Sequence, residues 1–298
     1  MLRVHNNVLI RTVSSIPVLM VAAIASLEYF VFMTEHWLPK IQRSVGFYVL
    51  LRILEAAIFH FVFGCMMVAY YKVVFTDPGY VTPLVVQYIQ DATQDAMEEG
   101  GIKRQPIMDL CRRCNLLKPF RAHHCRFCDR CVLRMDHHCP WVANCVGEGN
   151  YKFFFHFIMY AFFILSMCVR ALAGPFLAAF FSENAPRVAA EFSVIAVVGF
   201  VLGGALAISL LVLIAFHLYL LFHGATTIEF HQYGRAFPFN QGWRKNVHAV
   251  LGNTTKDLLL PTTPARKQHF ILQPGELKRL TADSCLWDFN DYEDDSLL

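Results

Sequence analysis

Cys111-Arg-Arg-Cys-Asn-Leu-Leu-Lys-Pro-Phe-Arg-Ala-His-His-Cys-Arg-Phe-Cys-Asp-Arg-Cys-Val-Leu-Arg-Met-Asp-His-His-Cys-Pro-Trp-Val-Ala-Asn-Cys-Val-Gly-Glu-Gly-Asn-Tyr-Lys-Phe-Phe154 holds seven of the ten cysteines and four of the thirteen histidines of a 298-residue chain. Cys111/Cys114, Cys125/Cys128 and the overlapping Cys128/Cys131 are two residues apart, a turn short enough for two thiolates to face one ion. Two tetrahedral zinc sites need eight ligands. If six cysteines and two histidines fill them, one cysteine and two histidines are left over. Spacing alone does not say which cysteine is spare, but a spare one beside an Asp-His pair is a candidate nucleophile.

On either side of this stretch the chain is apolar. Hydrophobic residues make up 56% and charged residues 16% of the sequence, and mean hydropathy is +0.41. Soluble domains carry about 25% charge, so the class is a membrane protein. A formal net charge of +3 is too small to argue for a nucleic-acid partner and suits a surface facing anionic lipid or phosphate. Thiolate ligands and a free reactive thiol persist where thiols stay reduced, which excludes a secreted disulfide scaffold and places the Cys-rich stretch in the cytosol.

Working outward, four apolar runs are each long enough to cross a bilayer core, which takes about 20 helical residues. They cover roughly Thr12 to Met33, Val45 to Phe75, Phe153 to Phe181 and Phe192 to Phe222. The first is too long for a signal-peptide core and is expected to remain in the mature protein. Glu28 lies near its far end, where a carboxylate can reach the interface. Arg52 and Glu55, three apart, read as a local helical pair, and His60 as a hydrogen-bond partner between helices. Gly199 and Gly203 have the small-xxx-small spacing that lets helices approach closely. Asp77-Pro78-Gly79 ends the second helix, and residues 80 to 110 read as a polar connection, partly helical. No internal repeat is read.

Four spans put both termini on one side. Eleven Lys and Arg lie from Lys72 to Lys152 and eight from His223 onward, against Lys40, Arg43 and Arg187 in the opposite loops. This asymmetry also places the termini and the Cys-rich loop in the cytosol. On that topology the sequon Asn253-Thr254-Thr255 never meets a glycosylating compartment. The expected fold is an α-helical integral membrane protein: four transmembrane helices, with a small cytosolic zinc-stabilised Cys-rich domain between helices 2 and 3. Its parts are residues 1–79 with the first two helices, 80–152 with the Cys-rich loop (core 111–154), 153–222 with the last two helices, 223–260 with a short amphipathic helix carrying Val247, Val250 and Leu251, and 261–298, an acidic, disordered tail.

Local chemistry points to Cys139 as the nucleophile. A free thiol is only a few per cent thiolate at neutral pH and wants an adjacent base. His137 can take the proton, and Asp136 can fix its tautomer. Alternate residues of an extended segment share a face, which pairs His137 with Cys139 and turns His138 away, as suits a zinc ligand. The same alternation puts Asp136 on the wrong face, so the backbone must bend there. Pro140 restricts Cys139 to extended geometry, which would hold the thiol outward.

The whole pattern resembles the DHHC family of protein S-acyltransferases. It runs Cys111-x2-Cys114, His124-Cys125-x2-Cys128-x2-Cys131, Asp136-His137-His138-Cys139-Pro140-Trp141, Asn144-Cys145, Asn150 and Phe154, with Lys118, Pro119 and Arg121. Asp77-Pro78-Gly79, Thr226-Thr227-Ile228-Glu229 and Asn246 fit as well, and the resemblance covers roughly residues 10 to 255. It implies two interleaved zinc sites, Cys111, Cys114, His124, Cys131 and Cys125, Cys128, His138, Cys145. It also implies that Asp136 and His137 activate Cys139, which takes an acyl chain, palmitoyl above all, from a fatty acyl-CoA co-substrate and passes it to a substrate cysteine. Thr227 would approach the site and Asn246 would brace the C-terminal segment.

The partners this implies are the bilayer and cytosolic or membrane-associated proteins with accessible cysteines. Arg126, Arg130 and Arg134 are candidates for the CoA phosphates. Glu293-Asp294-Asp295-Ser296-Leu297-Leu298 fits an acidic dileucine signal for trafficking adaptors, on an endomembrane or the plasma membrane. Two other readings remain at this point: a zinc-bearing membrane scaffold with an inert Cys139, and a transporter built around Glu28, Arg52, Glu55 and His60.

Overall fold

In a computed structural model, residues 8–98, 108–181, 193–234, 237 and 239–263 are described. The dileucine at the C-terminus and the segment 264–298 lie outside them. The helices are α1 (Val8–Val31), continued by a π-helical turn (Phe32–Trp37) and α2 (Leu38–Arg43), then α3 (Phe47–Phe75), α4 (Pro83–Glu98), α5 (Tyr151–Phe181), α6 (Val194–His223), α7 (Thr227–Tyr233), α8 (Trp243–Leu251) and α9 (Thr255–Leu259). Four helical stretches are long and apolar enough to span a membrane: Thr12–Arg43, Phe47–Phe75, Tyr151–Ala179 and Val194–His223. The chain is a multi-pass membrane protein. Without a hydrophobic drive between helices in lipid, such bundles depend on close packing and interhelical polar contacts, and both occur here.

Close packing brings α6 directly against α1. A Cβ added at Gly199 would meet Val31 at 3.2 Å, and one at Gly203 would meet the Glu28 carboxylate at 3.1 Å. The Gly199/Gly203 spacing therefore makes the close approach expected of it. Glu28 does not sit at an interface, as the sequence suggested. It is fully buried, and both carboxylate oxygens lack a hydrogen-bond partner. The cause is the length of the helix. The apolar run ends near Met33, but the π-helical turn carries the helical path on to Arg43, so Glu28 lies well inside the bundle rather than near its rim.

Polar contacts tie the far end. Arg52 donates to Glu55 (2.6 Å), as its spacing implied, and His36 and Arg170 also bond Glu55, at 2.9 and 3.3 Å. His60 pairs with the Tyr29 hydroxyl at 3.0 Å, the interhelical bond read from sequence. Glu28 sits among Gly203 and Cys168, away from the partners of Glu55, so the four residues of the transporter reading divide among separate surroundings.

At the other end, α3 and α5 hold the Cys-rich segment between them. That segment is three antiparallel hairpins: β1–β2 (Asp109–Cys111, Leu116–Lys118), β3–β4 (His123–Cys125, Arg130–Val132) and β5–β6 (His137–Cys139, Asn144–Val146). Asn144 Nδ2 donates to the carbonyls of Val73, Val74 and Thr76 at the end of α3, and Asn150 Nδ2 to those of Val73 and Cys145. Gly147 has no room for a side chain: a Cβ there would lie 2.6 Å from Val132 and 2.8 Å from the Pro78 carbonyl. Beyond α8, the chain through residue 263 lies along α3 and α5. Lys72 Nζ donates to the Pro261 carbonyl, and His156 bonds that of Leu258. The polar connection after α3 is helical as α4, and its remaining residues through 107 are outside the description.

The α1–α6 crossing gives a direct test. Gly203→Leu should overpack it, at a cost of about 1–3 kcal/mol, and lower the Tm of detergent-solubilised protein. Gly204→Leu, where an added Cβ meets nothing within 4 Å, should leave the Tm close to wild type.

Candidate active site

The three hairpins are copies of one unit at a 14-residue shift, a repeat that the sequence reading missed. Cys111, Cys125 and Cys139 occupy the same strand position, opposite Leu116, Arg130 and Asn144. Asn115, Asp129 and Ala143 close the three turns with φ of 51°, 51° and 48°. Asn and Asp tolerate this left-handed geometry better than other side chains. In the first two units the knuckle is completed by Cys114 and Cys128, whose backbone N–H groups point at the Sγ of Cys111 (3.5 Å) and Cys125 (3.4 Å). In the third, Val142 stands where the second cysteine would be. Cys139 is a knuckle cysteine without its partner. The recurrence of His-His-Cys-x5-Cys-Val at 123 and 137 is the signal that carries it.

Consecutive hairpins are joined through two donor groups, Cys111/Cys114/His124/Cys131 and Cys125/Cys128/His138/Cys145, each with all donor atoms within 4.8 Å of one another. In each, two ligands come from one hairpin and two from the next. A tetrahedral ion held by thiolate and imidazole requires edges of about 3.8 Å between sulfurs and about 3.5 Å from sulfur to nitrogen, from the usual metal–ligand lengths. The sulfur to His124 Nδ1 distances are 3.6, 3.2 and 3.9 Å. Those to His138 Nδ1 are 3.7, 3.5 and 3.6 Å, and Cys128 lies 3.4 Å from Cys145. Both groups could hold a metal ion. His124 turns its other nitrogen to Asp129 (3.6 Å), the outer-shell carboxylate that orients many ligating histidines.

His138 faces the second donor group, and β5 turns its neighbours the other way. His137 and Cys139 share a face, and Cys139 lies near enough to the His137 ring to favour its protonated form. Asp136 meets His137 from just outside the strand, Oδ2 to Nδ1 at 2.6 Å. The alternation problem is solved locally. Nδ1 is the ring nitrogen nearer the backbone, so a carboxylate one residue away reaches it, and the turn at Leu133–Arg134, with Arg134 at φ 43°, redirects the chain ahead of Asp136. Burial alone would lower the His137 pKa, but hydrogen bonds to Asp136 and Cys139 outweigh it and push it up to about 10. Burial would raise that of Asp136, and the His137 bond holds it below the usual carboxylate range. The pair is built to keep a proton on the imidazole.

Cys139 has the extended backbone that Pro140 requires, φ −111° and ψ 108°. Its thiol does not point outward as expected. It is 7% exposed, in a cluster with Tyr70, Val73 and Val74 of α3 and Phe153, Phe154 and Ile158 of α5. Leu251 of α8 closes the same cluster, so the thiol opens onto apolar side chains from the spanning helices.

Residues after α6 clamp this arrangement. Thr226 caps α7 in a reciprocal box with Glu229. Thr227 donates twice to Asp136, from its N–H to Oδ1 and its hydroxyl to Oδ2, both at 2.9 Å. Arg121 makes a two-pronged pair with Glu229 and donates to the Gly224 carbonyl at 2.8 Å. Arg121 keeps the buried Glu229 carboxyl low against the cost of burial. Asn246 bonds the Phe222 carbonyl (2.7 Å), and an added Cβ at Gly224, φ 70°, would lie 2.8 Å from its side-chain oxygen. Of the three arginines considered for phosphates, Arg134 is spent on the Gly224 carbonyl and Glu148, while Arg126 and Arg130 are exposed.

Comparisons of the sequence with known proteins point to one family. The family model described as DHHC palmitoyltransferase covers residues 105–234. The chain is 34% identical to "Probable protein S-acyltransferase 12" of Arabidopsis thaliana, over 82% of this chain and 85% of that protein. It is 31% identical to "Probable protein S-acyltransferase 14" of the same plant, over 85% of each. The chain belongs to the DHHC palmitoyltransferase family. A human family member, "Palmitoyltransferase ZDHHC15", is 28% identical over 84% of this chain and 79% of its own.

Within this DHHC protein the Arg121–Glu229 pair is the tie most open to test. Arg121→Met leaves a buried carboxylate unpaired, which should cost about 3–5 kcal/mol, read as a lower unfolding midpoint. Adding Glu229→Gln to that variant should recover part of the loss. A double variant as unstable as the summed single losses would contradict this.

Proposed function

We propose that the protein is a membrane-embedded protein S-acyltransferase that moves a long fatty acyl chain, palmitoyl foremost, from acyl-CoA to cysteine thiols of substrate proteins through a thioester on Cys139. The observation that carries this is the contiguous Asp136–His137–Cys139 arrangement, opening onto apolar side chains of the spanning helices. Family membership supports the same reading.

His137 accepts the Cys139 proton, and Asp136 holds its Nδ1 and stabilises the imidazolium. The Cys139 sulfur attacks the acyl-CoA carbonyl and the bond to the CoA sulfur breaks. The departing thiolate takes the proton from His137, leaving acyl-Cys139 and free CoA. A substrate cysteine then gives its proton to His137, attacks the new thioester and carries the chain away, and Cys139 recovers its proton. Burying each methylene is worth about 0.8 kcal/mol, so a palmitoyl tail gains on the order of 10 kcal/mol from an apolar surrounding. That gain suits a thiol placed at the ends of membrane helices.

The two donor groups suit zinc, the ion of closed sites with three thiolates and one imidazole. When bound, the ions supply fold stability, each joining one hairpin to the next. Cys139 lies on the hairpin that the second group secures. The domain limits given above, the cytosolic placement of the Cys-rich segment and both termini, and protein partners bearing accessible cysteines belong to this proposal, as do trafficking adaptors that read the C-terminal dileucine.

Purified protein given a clickable palmitoyl-CoA and a cysteine-bearing acceptor should label itself and then the acceptor, through hydroxylamine-sensitive bonds. Cys139→Ser should abolish both signals with zinc content unchanged. A variant that still labels the acceptor would refute Cys139 as the carrier. Cys128→Ala should lose about one zinc ion, and Cys139 loading with it.

A further inference from the structure

Behind the Asp136–His137 pair lies a second hydrogen-bonded pair with no part in the reaction as written. His217, on α6, is 2% exposed, and its Nδ1 lies 3.0 Å from the hydroxyl of Tyr151, the first residue of α5. The His217 and His137 rings have centroids 6.1 Å apart. Phe154 meets both edge-on, at 5.0 Å from His217 and 5.2 Å from His137. Phe216 also meets the His217 ring edge-on, at 5.7 Å.

We propose that Tyr151 and His217 are a positioning pair that fixes the orientation of the His137 ring and so sets the rate at which Cys139 is loaded. This rests on the reading of Cys139 as the acylated thiol. Asp136 anchors the His137 ring at Nδ1, and once the Cys139 sulfur turns to the acyl carbon that single anchor leaves the imidazole free to rock. A second constraint on its face directs the remaining nitrogen steadily at the Cys139 sulfur. Phe154 and His217 supply that face. An apolar side chain at 217 would fill the same space, but only an acceptor there takes the Tyr151 hydroxyl, which locks the rotation of the His217 ring. The bond also joins the start of α5 to α6, the helix whose following segment delivers Thr227 to Asp136. Both sides of the His137–Asp136 pair are thus referred to the same helix. Near-attack geometry is steeply distance-dependent, so a small release of the ring is felt in the rate.

The test is single-turnover loading of Cys139 at saturating palmitoyl-CoA, with apparent KM, zinc content and Tm measured on the same samples. Tyr151→Phe, which removes one oxygen, and His217→Leu should each slow loading on the order of 10-fold, with KM and zinc unchanged. The double variant should be no slower than either single, the mark of one coupled interaction. His217→Asn keeps an acceptor near the position of Nδ1 and should recover part of the rate when Tyr151 is present but not in Tyr151→Phe. Loading at the wild-type rate in both single variants overturns the proposal. So do losses that multiply in the double variant, or losses seen only where zinc or Tm has fallen. A wild-type protein that takes no label at Cys139 instead overturns the reading of the site.

Discussion

The structure turns on one fully buried carboxylate. An ionised carboxyl cut off from water costs several kcal/mol unless hydrogen bonds replace its hydration. Asp136 receives three such bonds: from the His137 ring, the Thr227 amide and the Thr227 hydroxyl. These partners come from two parts of the chain separated by α5 and α6. The carboxylate is satisfied only when the Cys-rich hairpins and the segment after α6 are both in place. The Asp136–His137 geometry and the closure of this end of the structure are therefore a single condition, which Arg121 and Glu229 reinforce by bridging the same two segments.

The hairpin repeat explains why one thiol among seven is available. A unit with a knuckle cysteine, a left-handed turn residue and a return strand appears three times, and adjacent units share a donor group. Cys111 and Cys125 are consumed by this scheme. Cys139 occupies the same place in the last unit, where Val142 withholds the second thiol and the chain turns into α5. Its backbone follows the same knuckle path, and its sulfur is left outside both donor groups, as the proposed acyl carrier requires. Its surroundings come from α3 and α5, whose side chains there are apolar.

Much of this was legible in the sequence. Four apolar runs, the Arg52–Glu55 pair and the Gly199/Gly203 spacing are local patterns, and local patterns survive without coordinates. The resemblance gave the ligand groups in the arrangement that the geometry brings together. Glu28 was misplaced because hydropathy stops near Met33 while the helical path goes on through a π turn, something no apolar count can sense. The 14-residue unit escaped notice because its third copy replaces the diagnostic cysteine with Val142. Tyr151 and His217 could not be paired at all. They are 66 residues apart on different helices, Tyr151 just ahead of the third apolar run and His217 inside the fourth.

The most direct measurement is the location of the thioester. Wild-type protein mixed with palmitoyl-CoA, quenched in acid, digested and mapped by mass spectrometry should carry the acyl group on the peptide containing Cys139. Brief exposure to a cysteine-bearing acceptor before quenching should remove it. An acyl group found on another cysteine, or one on Cys139 that never passes to the acceptor, would contradict the account.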